Sequence, residues 1–377
     1  MTNAATTALL LLGGGARAAY QVGVLKAISL HQPHNKSLPF KILSGTSAGA
    51  MNAAALACYA SSYPLAIKKL EWVWKNFTTD KVYTSNLKHF YRAVLLNLSQ
   101  ATNKMTYEQS ISLLNNQPLI ELLDKMLDLN RIKQHIEKGH LNGISITASA
   151  YSSGDSVSFF QSHNTIKNWH RAKRRGIQCQ IKLQHLLAST AIPMLFPSVA
   201  IDDEYYADGS VHQYSPLSPA IRLGAQKILI IGMDQPPPQT MVQNQLAPTG
   251  GAILGHLLDS IFGEALTLDI ERMHQVNQTL PLLISGAQAS LGYRKIDALQ
   301  IHPSQAFNDI AAHYYNKLPF SVRTLLRILG INKATAANSS LLSYLLFEAE
   351  FCRELIDIGI QDGIERRDEL SEFLRGE

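Results

Sequence analysis

Apolar runs of strand length alternate with helical patterns along this chain. The strand-like runs cover residues 7–12, 40–43, 143–150, 157–160, 227–233 and 297–301, and the helix-like patterns cover residues 16–30, 48–60, 181–189 and 255–276. Each of the first two strand-like runs ends in a glycine turn that opens a helix, an order typical of a parallel sheet. A Ser-Ser-Gly-Asp turn at residues 152–155 predicts a hairpin. The pattern therefore predicts an α/β fold with a mainly parallel central sheet.

The C-terminal part of the chain has a different pattern, which is almost wholly helical from residue 304 onward. Neither internal repeats nor a low-complexity linker interrupts the sequence. At 377 residues the chain is long enough to bury a large core. We therefore expect an α/β domain over residues 1–303 and a helical C-terminal extension over residues 304–377 packed on it.

Composition excludes several classes of protein. Apolar residues make up 46% of the chain and charged residues 17%, so the chain is neither disordered nor fibrous. Cys58, Cys179 and Cys352 are few and widely spaced, which argues against a disulfide framework and for a reducing compartment. The net charge of +5 favours anionic surfaces, but no nucleic-acid-binding motif accompanies it.

The N-terminal residues do not have the pattern of an export signal. The first 12 residues contain no Lys or Arg and lead directly into a glycine motif, without a small-residue cleavage site. No uninterrupted apolar stretch reaches the about 18–20 residues of a membrane-spanning helix. We therefore expect a cytoplasmic protein that contacts membranes only peripherally.

A Gly-x-Ser-x-Gly turn, which we call the serine turn, lies between the second strand-like run and a helix. It consists of Gly45, Thr46, Ser47, Ala48 and Gly49. A sharp change from strand to helix strains the backbone at the serine, and only small neighbours avoid a clash. The Ser47 hydroxyl would then project above the edge of the sheet, near the positive end of a helix dipole. The motif predicts a nucleophilic serine, and its alternative is an ordinary tight crossover.

A second glycine motif precedes the serine turn. Gly13, Gly14, Gly15 and Arg17 follow the first strand-like run and open a helix, and we call residues 13–17 the glycine loop. Three glycines allow the backbone N–H groups of Gly14 and Gly15 to approach a carbonyl oxygen without hindrance, as an oxyanion hole requires. Arg17 either adds positive charge beside this hole or forms an ion pair on the helix surface.

The glycine loop also fits the dinucleotide-binding fingerprint, with Ala18 in the last small position. That fingerprint requires an acidic residue about 20 positions further on to bind the ribose. The first acidic residue of this chain is Glu71, and a dinucleotide site would leave Ser47 unexplained. We therefore favour the oxyanion hole and expect no cofactor. The same lack of acidic residues predicts positively charged surroundings for the two glycine motifs.

A nucleophilic serine needs a group that accepts its proton, and two arrangements are open. His256, His302 and His313 come late enough for the Ser–Asp–His order of an α/β-hydrolase triad, although those enzymes place more strands before the serine. The other arrangement is a carboxylate that acts directly, and Asp208 with Gly209 offers one on a tight turn. No histidine pair has the spacing of a metal site, so we expect no metal.

Together these motifs resemble the patatin-like phospholipases. That family shares a glycine-rich oxyanion loop ending in Arg or Lys, a Gly-x-Ser-x-Gly turn, and an Asp-Gly-Gly or Asp-Gly-Ala turn that carries the catalytic aspartate. Residues 188–193, 196–197, 216–220 and 223–225 are similar to the segments around the aspartate turn in bacterial members, and residues 341–348 are similar to the tail of the longer bacterial type. The likeness therefore spans most of the chain. Ala18 stands where many members have Gly, and Ser210 stands where many have Gly or Ala.

The resemblance implies a three-layer α/β/α sandwich and a Ser–Asp dyad without a catalytic histidine. It implies Ser47 as nucleophile and Asp208 as general base, with Gly209 and Ser210 completing the aspartate turn and the glycine loop forming the oxyanion hole. A lipid acyl hydrolase of the phospholipase A or lysophospholipase type follows, which cleaves phospholipids or other acyl lipids through an acyl-enzyme. The alternatives are a lipid-binding protein of the same fold that has lost catalysis and a Ser–His–Asp triad esterase.

Three segments are candidates for contact with a membrane surface. Residues 86–98 and 321–329 have amphipathic helical patterns, which more commonly pack on a core. Residues 170–175 form a basic run that either binds phosphate headgroups or is a solvated face. We expect a transient membrane surface as a partner, and no nucleic acid. The sequence does not predict an oligomeric state.

Overall fold

Ten strands form one central sheet in this computed structural model, which describes residues 5–31, 37–85, 112–163, 165–236, 247, 249–283 and 292–375. The ten strands of this sheet are β1 (Thr7–Leu11), β2 (Ile42–Thr46), β5 (Gly143–Ala150), β6 (Ser156–Ser162), β7 (Trp169–Arg171), β8 (Arg174–Gln178), β9 (Val199–Ile201), β10 (Glu204–Asp208), β11 (Lys227–Ile231) and β12 (Asp297–Ile301). Two further strands of these residues, β3 (Thr84–Ser85) and β4 (Leu114–Asn115), lie outside it. The helices of this described part are α1 (Ala19–His31), α2 (Ala48–Cys58), α3 (Tyr63–Lys75), α4 (Thr79–Val82), α5 (Gln117–Met126), α6 (Asn130–Glu137), α7 (Leu183–Ser189), α8 (Ser218–Arg222), α9 (Gly250–Thr279), α10 (Phe307–His313), α11 (Phe320–Ile328), α12 (Ser340–Leu345), α13 (Ala349–Glu365) and α14 (Arg367–Arg375).

The order of the strands places the N-terminal strands near the centre of the sheet. β12, β11, β1, β2 and β5 lie side by side and parallel, followed by the antiparallel β6 and then by β8 and β7. β10 pairs antiparallel with both β5 and β9, while β3 and β4 form a separate two-stranded ladder. The prediction of a mainly parallel sheet is therefore confirmed, as is the predicted hairpin, which β5 and β6 form.

The central strands bury side chains on both faces of the sheet. Leu9 and Leu11 of β1 belong to the larger apolar cluster, which includes residues of α1, α2 and α13. Ala8 and Leu10 of the same strand belong to a second cluster with residues of α8 and α9. Because a strand alternates its side chains between two faces, an apolar run without polar positions marks a strand that is covered on both sides. The result is the expected three-layer α/β/α sandwich.

A close helix contact joins the C-terminal region to helix α1. α13 packs along α1, and a Cβ atom at Gly359 would lie 2.3 Å from the carbonyl oxygen of Tyr20 and 3.0 Å from Cα of Gly23. A Cβ atom at Gly23 would lie 2.1 Å from the carbonyl oxygen of Ile356. The Tyr20 hydroxyl donates to Asp362 at 2.9 Å and so links the two helices. The helix backbones therefore approach more closely than side chains at these two glycines would allow.

We expect Gly359→Ala to lower the thermal stability of the protein. The added methyl group would overlap the α1 backbone, and such overpacking costs about 1–3 kcal/mol, against at most about 1 kcal/mol gained from helix propensity. Gly250→Ala is the matched control, because a Cβ atom at this helical glycine would have its nearest neighbour at 3.8 Å. Thermal unfolding of both variants measures the difference. Equal melting temperatures for the two variants would contradict this account of the helix contact.

The basic run at residues 170–175 forms a hairpin of β7 and β8 that the sequence pattern did not predict. Lys173 occupies the turn with a φ of 57°. Arg175 forms ion pairs with Asp155 at 3.0 Å and with Glu204 at 2.8 Å. Part of the run is therefore held by carboxylates of the protein itself.

The two amphipathic segments have different outcomes. Residues 321–329 largely coincide with α11, which buries Val322, Leu325 and Leu326 and leaves Phe320 and Ile328 exposed. Residues 86–98 lie outside the described residues. Among the helices of the described ranges, none combines the length and apolar content needed to cross a bilayer.

Candidate active site

The serine turn joins β2 to α2 with a strained backbone at its centre. Ser47 has φ 55° and ψ −131°, a left-handed conformation that a residue with a Cβ atom adopts at a cost of about 1–3 kcal/mol. A Cβ atom at Gly45 would lie 2.6 Å from Cα of Ala50, and one at Gly49 would lie 2.2 Å from the carbonyl oxygen of Leu11. The two glycines therefore allow the close backbone approaches on which the turn depends.

Ser189 of α7 supports the backbone of the serine turn by hydrogen bonds. The Ser47 backbone N–H donates to the Ser189 hydroxyl at 2.9 Å, and that hydroxyl donates to the carbonyl oxygen of Thr147 at 2.6 Å. Ser189 is fully buried, so these bonds are shielded from water. None of the three sequence motifs contains Ser189. Its one signal in the sequence is its place in residues 188–193, where the family resemblance continues beyond the motifs.

Strand register brings Asp208 next to the serine turn. β2 pairs with β5 as far as Thr46 opposite Thr147, and β10 pairs with β5 from Asp208 opposite Ala148. The other edge of β5 is occupied along this length by β6, so β2 and β10 follow one another on the same edge. The end of β2 and the end of β10 therefore meet, which places Ser47 and Asp208 together.

The Asp208 carboxyl is buried, and its surroundings shift its protonation. Burial raises the pKa of Asp208 to about 6, while hydrogen bonding from the Ser47 hydroxyl and from Ser210 acts in the opposite direction. One oxygen, Oδ1, accepts the Ser210 backbone N–H at 2.9 Å. The other oxygen, Oδ2, has no partner with full hydrogen-bond geometry among the described residues. The Ser47 hydroxyl is thus close enough to lower the pKa of the Asp208 carboxyl, although it forms no well-aligned hydrogen bond with Oδ2.

The aspartate turn, residues 208–210, touches both the serine turn and the glycine loop. A Cβ atom at Gly209 would lie 2.1 Å from the carbonyl oxygen of Thr147 and 2.8 Å from the methyl group of Thr46, so this glycine permits a close approach to β5 and β2. The Ser210 hydroxyl lies 2.9 Å from the position that a Cβ atom at Gly13 would occupy. The three sequence motifs therefore converge at one end of the sheet.

The glycine loop keeps free backbone donors beside this junction. Within the described residues, the N–H groups of Gly13 and Gly14 donate to no acceptor. Gly15 has φ +54°, and a Cβ atom there would lie 2.2 Å from the carbonyl oxygen of Tyr344 in α12. A side chain at Gly15 would therefore displace the loop from the C-terminal region that supports it.

Arg17 is buried, and its guanidinium points into the C-terminal region. Its Nε donates to Ser343 at 2.8 Å and one terminal nitrogen donates to Asn308 at 3.0 Å. The other terminal nitrogen forms an ion pair with Asp259 at 3.2 Å, and the guanidinium carbon lies 3.8 Å from the centre of the Tyr344 ring. These contacts are an anchor between the glycine loop and helices α9, α10 and α12. The Asp259 carboxylate also offsets the positive charge that the sequence left without a local partner.

The three histidines of the alternative triad do not border the serine turn. None of them lines the cavity that begins at Ser47, as far as the described residues define it. His302 instead has Nδ1 3.9 Å from a carboxylate oxygen of Asp234, while His256 and His313 are exposed on α9 and α10.

An apolar cavity begins at Ser47 and runs between α2, α3 and α5. Its lining includes Met51, Val73, Phe77, Leu119 and Phe347, together with Gly15 of the glycine loop. The side chains that line this cavity are mostly apolar, and part of the cavity opens to solvent. The candidate site thus has a polar junction at one end and a long apolar cavity beside it.

Comparison with known proteins assigns the chain to a family. The architecture defines a mixed α/β protein with a mainly parallel central sheet and a helical C-terminal region. Residues 9–221, more than half of the chain, match the family model described as patatin-like phospholipase. The chain therefore belongs to the patatin-like phospholipase family, and the resemblance noted from the sequence motifs is confirmed. No curated protein sequence matches the chain.

Two solved structures are similar to the chain at low identity. VipD from Legionella pneumophila is 15% identical with a TM-score of 0.35, and the match covers 94% of this chain and 67% of VipD. Human GIVD cytosolic phospholipase A2, in complex with methyl gamma-linolenyl fluorophosphonate, is 11% identical with a TM-score of 0.45. That match covers 99% of this chain and 59% of the human chain, so this chain spans well under two thirds of the human protein's length.

Proposed function

We propose that the protein is a lipid acyl hydrolase of the phospholipase A or lysophospholipase type, with Ser47 and Asp208 as its catalytic dyad. Membership of the patatin-like phospholipase family supports a lipid-ester hydrolase in general. The observation that carries the specific proposal is the register of β2 and β10 on one edge of β5, which brings these two side chains together.

Asp208 is the general base of this proposal. Its Oδ2 has no hydrogen-bond partner with full geometry among the described residues, so it is available to accept the Ser47 hydroxyl proton. The pKa of about 6 keeps the carboxyl ionised at neutral pH and makes it a stronger base than an exposed aspartate. Burial therefore suits Asp208 to proton transfer without the help of a histidine.

The reaction follows in two halves. Asp208 removes the Ser47 proton while Oγ forms a bond to the ester carbonyl carbon, and the carbonyl electron pair moves onto its oxygen. As the carbonyl re-forms, the ester C–O bond breaks, and the leaving alcohol takes the proton from Asp208. A water molecule then gives its proton to Asp208 and attacks the acyl-enzyme. The fatty acid leaves, and Ser47 regains the proton.

The glycine loop is the proposed oxyanion hole. Backbone N–H groups of Gly14 and Gly15, with Gly13 beside them, would donate to the negatively charged oxygen. Each such donor contributes roughly 3 kcal/mol to the stabilisation of the transition state. Arg17 supports the loop through its contacts with Ser343 and Asn308, and this anchoring is the larger part of its proposed role.

Substrate binding is proposed to combine the apolar cavity with a transient membrane contact. The cavity beside Ser47 has the apolar lining that a fatty-acyl chain requires. On the surface, α11 exposes Phe320 and Ile328 together with Arg327, a combination that favours an anionic lipid interface. No metal or cofactor takes part in the proposed mechanism.

Covalent labelling tests the proposed function most directly. A fluorophosphonate probe should modify the wild-type protein at Ser47, as peptide mass spectrometry would show, and the same protein should release fatty acid from a panel of phospholipids and lysophospholipids. Protein that binds these lipids but neither reacts nor hydrolyses them would instead be a lipid-binding protein that has lost catalysis. His256→Ala, His302→Ala and His313→Ala should each keep the hydrolytic activity, because the proposed mechanism uses no histidine. Loss of activity in any one of these variants would favour a Ser–His–Asp triad.

A further inference from the structure

One face of α2 lines the cavity along the whole length of the helix. Ser47, Met51, Ala55 and Tyr59 follow one another at four-residue spacing, and all four border the cavity. Because a helix rises about 1.5 Å per residue, the cavity extends about 18 Å along α2 from Ser47 to Tyr59. The cavity thus extends along α2, with the serine turn at one end and Tyr59 at the other.

The opposite wall, α3, runs antiparallel to α2 and confirms these two ends. Trp74 lies towards the Ser47 end, where its indole N–H donates to Asn52 at 2.8 Å. Lys69 lies at the other end, with Nζ 4.9 Å from the centre of the Tyr59 ring. Leucines 119, 122 and 123 of α5 complete the apolar lining between the two ends.

The Tyr59 ring is held in place by two cations. Besides Lys69, the Arg131 guanidinium lies 4.5 Å from the ring centre. Contacts of this kind contribute about 0.5–1 kcal/mol each at partly exposed sites, so together they restrain the ring. A hydrocarbon chain that advanced past Tyr59 would meet the charged groups of Lys69 and Arg131.

We propose that Tyr59 closes the far end of the cavity and makes the protein selective for acyl chains of about 14–16 carbons. The identification of the ligand as an acyl chain rests on the proposed function. An extended polypeptide advances about 3.3–3.6 Å per residue, or about 1.2 Å for each of its three backbone bonds, and we take the same advance per bond for an extended acyl chain. About 15 carbon–carbon bonds therefore span the roughly 18 Å between Ser47 and Tyr59. Each methylene inside the cavity improves binding about 4-fold, and the gain ends where Tyr59 begins.

A chain-length profile tests the proposal by hydrolysis. The substrates are saturated lysophospholipids of 10 to 20 carbons in one detergent. Their kcat/KM should rise by up to about 4-fold per methylene and should stop rising at about 14–16 carbons, a chain length that we call the break. Tyr59→Ala should move the break to chains about four carbons longer. Ala55→Leu, which narrows the cavity about 12 Å from Ser47, should move it to about ten carbons. A break that stays in place in both variants overturns the proposal.

Two controls accompany this profile. Tyr59→Phe keeps the ring and should keep the break, so a break that moved with it would contradict closure by the ring. Trp72→Ala removes a large side chain that is 62% exposed on α3 and does not line the cavity, and it should leave the profile as in the wild type.

A binding measurement separates this proposal from the proposed hydrolysis. Ser47→Ala protein, with and without Tyr59→Ala, is titrated with saturated fatty acids of 8 to 20 carbons by displacement of a fluorescent fatty acid. A break near 14–16 carbons that shifts with Tyr59→Ala supports the role of Tyr59 even if the wild-type protein hydrolyses no ester. Affinity that rises steadily to 20 carbons in both proteins overturns it, whatever the hydrolysis assay shows.

Discussion

Ser47→Ala should reduce lipid hydrolysis by at least about 10⁴-fold, the largest effect that we expect from any single substitution. In the proposed mechanism no acyl-enzyme forms without this hydroxyl, and only binding and the proposed oxyanion hole are left to accelerate direct attack by water. Fatty-acid release from a mixed phospholipid and lysophospholipid panel measures the loss. The backbone of the serine turn should keep its support, because the Ser47 backbone N–H keeps its bond to Ser189.

Ser44→Ala is the matched control for this experiment. Ser44 is a buried serine of β2, three residues before Ser47, and its hydroxyl bonds to that of Ser145 at 3.2 Å. This variant should retain hydrolysis within a few-fold of the wild type. If Ser47→Ala kept a tenth or more of the wild-type rate, Ser47 would not be the nucleophile.

Asp208→Asn should lower hydrolysis by about 10²–10⁴-fold while making the protein more stable at neutral pH. An amide cannot accept the Ser47 proton as a carboxylate does, yet its oxygen can still accept the Ser210 N–H bond. The folded-state pKa of Asp208, about 6, is above its ordinary value of 3.8, so folding is opposed once the carboxyl ionises. At pH 7 that cost is about 3 kcal/mol, since each unit of pKa shift corresponds to about 1.4 kcal/mol.

The pH dependence gives this prediction a definite sign. Because the folded pKa is raised, the stability that the protonated Asp208 contributes is fully present below about pH 4 and is lost as pH rises through about 6. The difference in melting temperature between Asp208→Asn and the wild type should therefore be large at pH 7–8 and vanish near pH 4. Over the same range, kcat/KM of the wild type should increase with pH as the base ionises. Normal activity of Asp208→Asn would rule out the proposed base.

The serine turn could be predicted from sequence because its requirements are local. A sharp strand-to-helix turn needs small neighbours, and Gly45 and Gly49 each allow a backbone approach that a Cβ atom would prevent. Six strands of the sheet, β1, β2, β5, β6, β11 and β12, could also be predicted, because burial on both faces leaves an apolar run such as that of β1. The strands β7 to β10 were not predicted. Such features leave a signal in a short stretch of sequence, even where the contact itself is long-range, as between Gly49 and Leu11.

Charge partners could not be predicted in this way. The sequence showed no acidic residue before Glu71 and so indicated positively charged surroundings for the two glycine motifs. In the folded protein Arg17 pairs with Asp259, and Lys26 pairs with Glu71 at 2.6 Å. The expectation is therefore corrected for these two cations, because an ion pair depends on distance in space and not on separation along the chain.

By itself, the sequence determined the α/β class, the glycine motifs, the candidate serine and aspartate, and the membership of the family that these motifs indicated. Only the tertiary structure decided that β10 takes over the edge of β5 where β2 ends, which is what brings Asp208 to Ser47. It also decided the bridge from Ser189, the burial that raises the pKa of Asp208, and the Tyr59 end of the cavity. The physical reason is that turns and strands follow from steric limits between chain neighbours, whereas register, burial and cavities arise from contacts between distant segments.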